Sequence, residues 1–211
     1  MRGFATLGFL TAALVVASCS SIERSRALNN PDVPAKVLAL QVCSNCHGVD
    51  GNSVSPNFPK LAGQTEAYFV SQMTGFQSHG RSDPAGFEYM WGLSRSLTEG
   101  QIKGLAAYYA TQVPSKLRAF APQAQIDAGQ TIFKTGVAAK DVPPCTTCHG
   151  EGGQGNDKFP RIAGQYDDYL VKQLMVFQRT NQRPDGSIMK TIAHGLTQQN
   201  IEDVAAFLQT Q

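Results

Sequence analysis

Charge is scarce in this chain, and clustered charge is missing. Asp, Glu, Lys and Arg make up 16% of the 211 residues, 18 basic against 16 acidic, for a net charge of +2. Neutralising a phosphate backbone takes grouped Lys and Arg, so nucleic acid is excluded as the main partner. Long apolar runs are also missing, with one exception. Gly3 to Ile22 carries no charged residue and is the one place where a membrane span could lie. No alternating strand pattern occurs, and 20 Gly with 11 Pro is loop-rich without being collagenous or disordered. Cysteine is sparse, and its five residues are an odd number.

The exceptional apolar stretch reads as a secretory signal. Met1-Arg2 is a short positive start, Phe9 to Ala17 an apolar core, and small residues follow. Val16-Ala17-Ser18-Cys19 resembles a bacterial lipobox, which makes Cys19 the lipidated first residue of the mature chain. A free thiol at a cleavage site in an oxidising compartment is a liability, which favours lipidation over ordinary cleavage or a retained membrane helix. The anchor then acts through buried methylenes, at ~0.8 kcal/mol each. Ser20 to Pro34 is polar with two prolines, a flexible tether that reaches ~20 Å for about 15 residues.

The rest of the chain contains itself twice. CSNCHG at 43–48 recurs as CTTCHG at 145–150, offset by 102, and FPKLAGQ at 58–64 recurs as FPRIAGQ at 159–165, offset by 101. Tyr68, Gln72 and Phe76 match Tyr169, Gln173 and Phe177, and LAAYY at 105–109 parallels VAAFL at 204–208. The expected organisation is a signal peptide over 1–18, a tether over 19–34, one domain over 35–113, a linker over 114–122 and a second domain over 123–211. Modules this small often lean on a cofactor or metal for stability.

Both halves read as helical. Ala35 to Val42 and Ala124 to Thr135 precede each CxxCH. Thr65 to Gln77 and Tyr166 to Arg179 follow, with Phe69, Met73 and Phe76 on one face. Thr98 and Thr197 stand where N-caps belong, Thr98 with Gln101 forms a capping box, and the last helices run to about Gln112 and Gln209. Their apolar stripe of Ile102, Leu105, Ala106 and Tyr109 is echoed by Ile201, Val204, Ala205 and Leu208. The fold class is all-α, two tandem modules of helices joined by long loops.

Two cysteines three apart reach both vinyl-derived positions of one haem, and the adjacent histidine offers an imidazole from the same turn. Cys43, Cys46 and His47, and again Cys145, Cys148 and His149, therefore read as two covalent haem c sites. A redox disulfide would expect a βαβ setting, which is absent. One zinc shared by both pairs leaves the histidines unexplained and the pairs in separate modules. A sixth ligand should recur at equivalent positions. Met90 and Met189 do so, each seven residues before the Leu ahead of a capping Thr, in what reads as a loop. Met73 and Met175 read as core. His79 and His194 fail the repeat test, although His194, five residues past Met189, competes with it. Thioether sulfur opposite imidazole raises the reduction potential relative to two imidazoles and leaves no open position for a small-molecule substrate.

Other repeated residues keep two readings open. Pro59 and Pro160 either accept the histidine Nδ1–H through a carbonyl or form a loop corner. Gln64, Gln165, Tyr68 and Tyr169 either reach a propionate or the seam between modules, or simply pack. Glycines around each motif, among them Gly48, Gly51, Gly150 and Gly153, let backbone pass near a macrocycle.

CxxCHG, then GN, FP-x-[LI]-AGQ-x3-Y-x3-Q, Met and a Leu-Thr-capped last helix, repeated once, resembles the dihaem cytochrome c4 family over about 35–211. The resemblance implies two class I cytochrome c domains related by a pseudo-twofold axis, with propionates meeting near the interface. It carries covalent attachment onto Cys43, Cys46, Cys145 and Cys148. The axial ligands carry onto His47, Met90, His149 and Met189. It implies an electron carrier of the periplasm, not an enzyme, between a quinol-oxidising complex and a terminal oxidase. The lipobox and tether depart from the soluble form, and His79 to Gly86 is two residues longer than its counterpart. The alternatives are a dihaem enzyme, thiosulfate dehydrogenase- or peroxidase-like, and a cytochrome subunit of a larger dehydrogenase.

Overall fold

The computed structural model describes residues 26–211, so the apolar start and Cys19 lie outside the described residues. Among those described there is no strand. A lone Val137–Val142 bridge is the sole extended pairing. The first module holds α1 (Ala35–Leu38), a π-helical turn Ala39–Cys43, α2 (Ser44–His47), α3 (Glu66–Gln77), a second π-helical turn Gly86–Met90, α4 (Trp91–Ser94) and α5 (Glu99–Ala110). The second holds α6 (Gln123–Thr135), α7 (Thr146–His149), α8 (Asp167–Arg179), α9 (Ser187–His194) and α10 (Gln198–Gln209).

Each module closes by packing its last helix against both the first and the middle one. Leu38, Phe69, Met73, Ile102, Leu105 and Tyr109 form the first core, and Phe133, Leu170, Ile201, Val204 and Leu208 the second. The crossing of α6 and α10 is tight. A Cβ on Gly129 would lie 1.9 Å from the Asp203 carbonyl oxygen, so only glycine admits this approach. The last helices start where the sequence places them. The Thr98 hydroxyl accepts from Gln101 N–H, and the Thr197 hydroxyl from Asn200 N–H, each with the reciprocal bond of a capping box.

The helices around the two repeat-matched methionines depart from expectation. Met90 ends the turn Gly86–Met90, and Met189 lies within α9, where loops were expected. Pro184 opens a short 3-10 turn that leads into α9, and Ile188 and Ile192 recur at helical spacing. Met73 is core, as expected. Met175 is instead half-buried beside Val171, Lys172 and Arg179 on the outer face of α8.

Candidate haem-binding sites and the seam between them

In each module one helical turn delivers both cysteines and the histidine. Cys43 ends its π-helical turn and α2 continues directly to His47; Cys145 immediately precedes α7. Residues three apart share a helix face, so each cysteine pair points the same way. The chain leaves both helices at glycine, Gly48 with φ 78° and Gly150 with φ 82°, a region that side chains disfavour. It then returns past the histidine ring. His47 Nδ1 lies 2.9 Å from the Pro59 carbonyl and His149 Nδ1 2.9 Å from the Pro160 carbonyl.

A carbonyl only accepts, so Nδ1 carries the proton in both rings and Nε2 keeps its lone pair. Both rings are buried, at 9% and 6% exposure. That burial lowers the pKa of each, against the opposing pull of the proline carbonyl. The product is a neutral imidazole, oriented by a fixed bond at Nδ1, which is the form that ligates a metal. Of the two readings open for Pro59 and Pro160, the acceptor role is the one present.

Among the described residues the four cysteines, Cys43, Cys46, Cys145 and Cys148, are unpaired. Burial pushes the Cys43 and Cys145 thiols up to about 11, so neither has the thiolate character of a redox or nucleophilic cysteine. Among the described residues no cluster of three or more His, Cys, Asp or Glu is arranged to hold a bare metal ion. Half-buried cysteines on one face beside an oriented imidazole fit a thioether-linked haem.

Met90 packs half-buried against the core that Cys43 also joins, and its neighbour Tyr89 meets Phe58, which meets His47, in edge-to-face pairs at 5.8 and 6.2 Å. Met189 is half-buried in α9. His79 is exposed and stacks on Trp91 at 4.0 Å. His194 is exposed at the end of α9, its Nδ1 2.7 Å from the Lys190 carbonyl.

The modules meet across a doubled set of contacts. Gln64 donates to the Arg161 carbonyl at 3.0 Å and accepts from Arg161 N–H at 2.8 Å. Gln165 donates to the Lys60 carbonyl at 3.1 Å and accepts from Lys60 N–H at 3.0 Å. Partners that exchange roles in this way define an isologous, pseudo-twofold interface. Deeper in the seam, Arg81 pairs with Asp83 at 2.8 Å and reaches Gln72 at 2.7 Å; Arg183 reaches Gln173 at 2.6 Å. Each guanidinium also crosses over, Arg183 to Gln72 at 2.8 Å and to the Tyr68 hydroxyl at 3.1 Å, and Arg81 to Gln173 at 3.3 Å. The rings of Phe76 and Phe177 carry Arg81 and Arg183 at 4.6 and 4.5 Å. The seam, then, is where Gln64, Gln165 and Tyr68 reach. Sequence reasoning missed Arg81, Asp83, Arg183 and Asp185, although R-x-D at 81–83 and 183–185 repeats with the same offset of 102 as CxxCH.

A tandem pair of haem c modules is what this fold and these sites define. The cytochrome c family model matches residues 34–112 and 126–211. A cytochrome c4 of Azotobacter vinelandii is 37% identical over 177 residues, 80% of this chain and 83% of the relative. The crystal structure of reduced recombinant cytochrome c4 from Pseudomonas stutzeri matches with a TM-score of 0.75 at 34% identity, over 86% of this chain and 98% of that one. A Thiomonas intermedia protein named thiosulfate dehydrogenase electron acceptor is 30% identical over 173 residues, 80% of this chain and 78% of the relative. The chain belongs to the dihaem cytochrome c4 family and carries two covalently bound haem c groups.

Proposed function

We propose that this protein is a periplasmic one-electron carrier, tethered to a membrane through a lipid on Cys19. It takes electrons from a quinol-oxidising complex and passes them to a terminal oxidase or another acceptor. The observation that carries this reading is the pair of buried, neutral imidazoles fixed at Nδ1 by Pro59 and Pro160. In it, His47 and Met90 ligate one iron and His149 and Met189 the other, while Cys43, Cys46, Cys145 and Cys148 form the thioether links. Haem iron, when bound, supplies a one-electron change whose potential histidine–methionine ligation raises.

The chain's own residues do the rest. Pro59 and Pro160 hold the rings from turning, and the seam residues keep the two modules in one relation. A carrier of this kind docks through small, transient contacts. No helix of the described residues is long and apolar enough to cross a membrane. A lipid on Cys19 is consistent with that, and mass spectrometry of the mature N-terminus tests it: an unmodified Cys19 or an uncleaved Met1 rejects the tether.

A second reading, that the chain accepts electrons from a thiosulfate-oxidising dehydrogenase, is favoured by the named role of the Thiomonas relative. Reduction of the purified protein by such an enzyme and its substrate separates the two. Axial ligation is tested by Met90→Ala and Met189→Ala. Each should remove about half of the far-red sulfur-to-iron band of the ferric protein, and His194→Ala none of it. Loss of the band in His194→Ala contradicts the assignment of Met189.

A further inference from the structure

The two modules share a backbone and differ at one buried oxygen beside a haem-bearing cysteine. Tyr109 and Leu208 hold the same place: the Tyr109 carbonyl accepts from Gly63 N–H at 2.9 Å and the Leu208 carbonyl from Gly164 N–H at 2.8 Å. Leu208 ends in methyl groups. Tyr109, 1% exposed with its ring 5.7 Å from that of Phe69, ends in a hydroxyl that has no hydrogen-bond partner among the described residues. Cys43 packs against the core cluster that holds Tyr109, which sets its sulfur beside that hydroxyl. Among the described residues, the equivalent Cys145 packs against a core cluster that is apolar throughout.

Burying a hydroxyl without an acceptor is costly, and phenylalanine would fill the same space without that cost. A tyrosine here therefore calls for an acceptor at its tip. Once Cys43 is thioether-linked, its sulfur has lone pairs and no proton, so it can only accept.

We propose that Tyr109 is a tuning residue that sets the first haem apart from the second, by donating its O–H to the thioether sulfur of Cys43. Donation draws electron density from a sulfur one carbon away from the macrocycle and turns the positive end of a buried dipole toward it. Both effects favour the reduced iron, so the hydroxyl raises the potential of the first haem. Leu208 offers the second haem nothing comparable. Tyr109 acts through Cys43 and does not touch iron. The inference rests on the two-haem reading, and its test keeps the two apart.

The test compares native, Tyr109→Phe and Tyr108→Phe proteins, each matured with haem. Tyr108 is the control, because its hydroxyl already donates to the Val49 carbonyl at 2.7 Å. A pyridine haemochrome assay first counts haems, and an optical redox titration then resolves two components. In Tyr109→Phe two haems remain and one component falls, with a threefold to tenfold drop in its reduced-to-oxidised ratio at fixed potential, up to about 59 mV for a one-electron couple. The other component stays in place, and Tyr108→Phe titrates like the native protein. Two haems with both components unmoved, both moved, or one raised would overturn the role of Tyr109, as would loss of a haem in Tyr109→Phe. A native protein without two haems would defeat the functional reading instead.

Discussion

Gln64 and Gln165 hold the two modules together by one contact made twice. Each carboxamide crosses the seam and pairs with both backbone groups of a single residue, Arg161 for Gln64 and Lys60 for Gln165. Each also accepts from the N–H of the residue that follows it, Thr65 at 2.9 Å and Tyr166 at 3.1 Å. A backbone segment with the same shape in both repeats thereby becomes its own partner, which is how a duplicated gene product closes on itself without new sequence.

Truncation at either position should therefore cost about the same. Gln64→Ala or Gln165→Ala leaves an N–H and a carbonyl across the seam, and the N–H of the residue that follows, without partners, and each variant should lose about 1–3 kcal/mol of stability. Chemical denaturation followed by circular dichroism checks this. One variant silent and the other costly would contradict a symmetric seam.

The charged part of the seam predicts acid sensitivity. Burial pushes the Asp83 carboxyl up. The hydrogen bonds and charge of Arg81, with the charge of Arg183, outweigh it and hold the carboxyl below the usual carboxylate range. A group depressed in the folded state contributes stability above its unfolded pKa, near ~3.9, and loses it as pH falls through the folded value. Stability should decline below about pH 4. Asp83→Asn should cost about 3–5 kcal/mol at neutral pH by leaving Arg81 unpaired, and should flatten the acid decline. Denaturation midpoints of both proteins across pH give the answer.

Local patterns were the legible part of this molecule. The CxxCH motifs, the helix faces and the Thr98–Gln101 cap all follow from spacing within one or two helical turns, and the repeat is those same local patterns met again at an offset of 99 to 102 residues. The two segments bearing Met90 and Met189 did not read as helical, because Pro84, Gly86 and Gly92, and Pro184 and Gly186, give them the composition of loops. Tertiary packing overrides that propensity. Asn200 completing a capping box was missed for a similar reason, since Glu or Gln is the usual partner. Met175 fell outside the core because the buried face of α8 runs through Leu170, Gln173, Val176 and Phe177. The R-x-D pairs were visible as repeats. Nothing short of the folded seam shows that their guanidinium groups cross it, since partners some ninety to one hundred and fifteen residues away leave no local trace.

The measurement closest to the central claim is haem content and spin state of the purified, matured protein, taken together. A pyridine haemochrome assay should give two haem c per chain, and ferric electron paramagnetic resonance should show both irons low-spin, each closed by imidazole and sulfur. One haem or none, or a high-spin five-coordinate iron in both modules, would contradict the account.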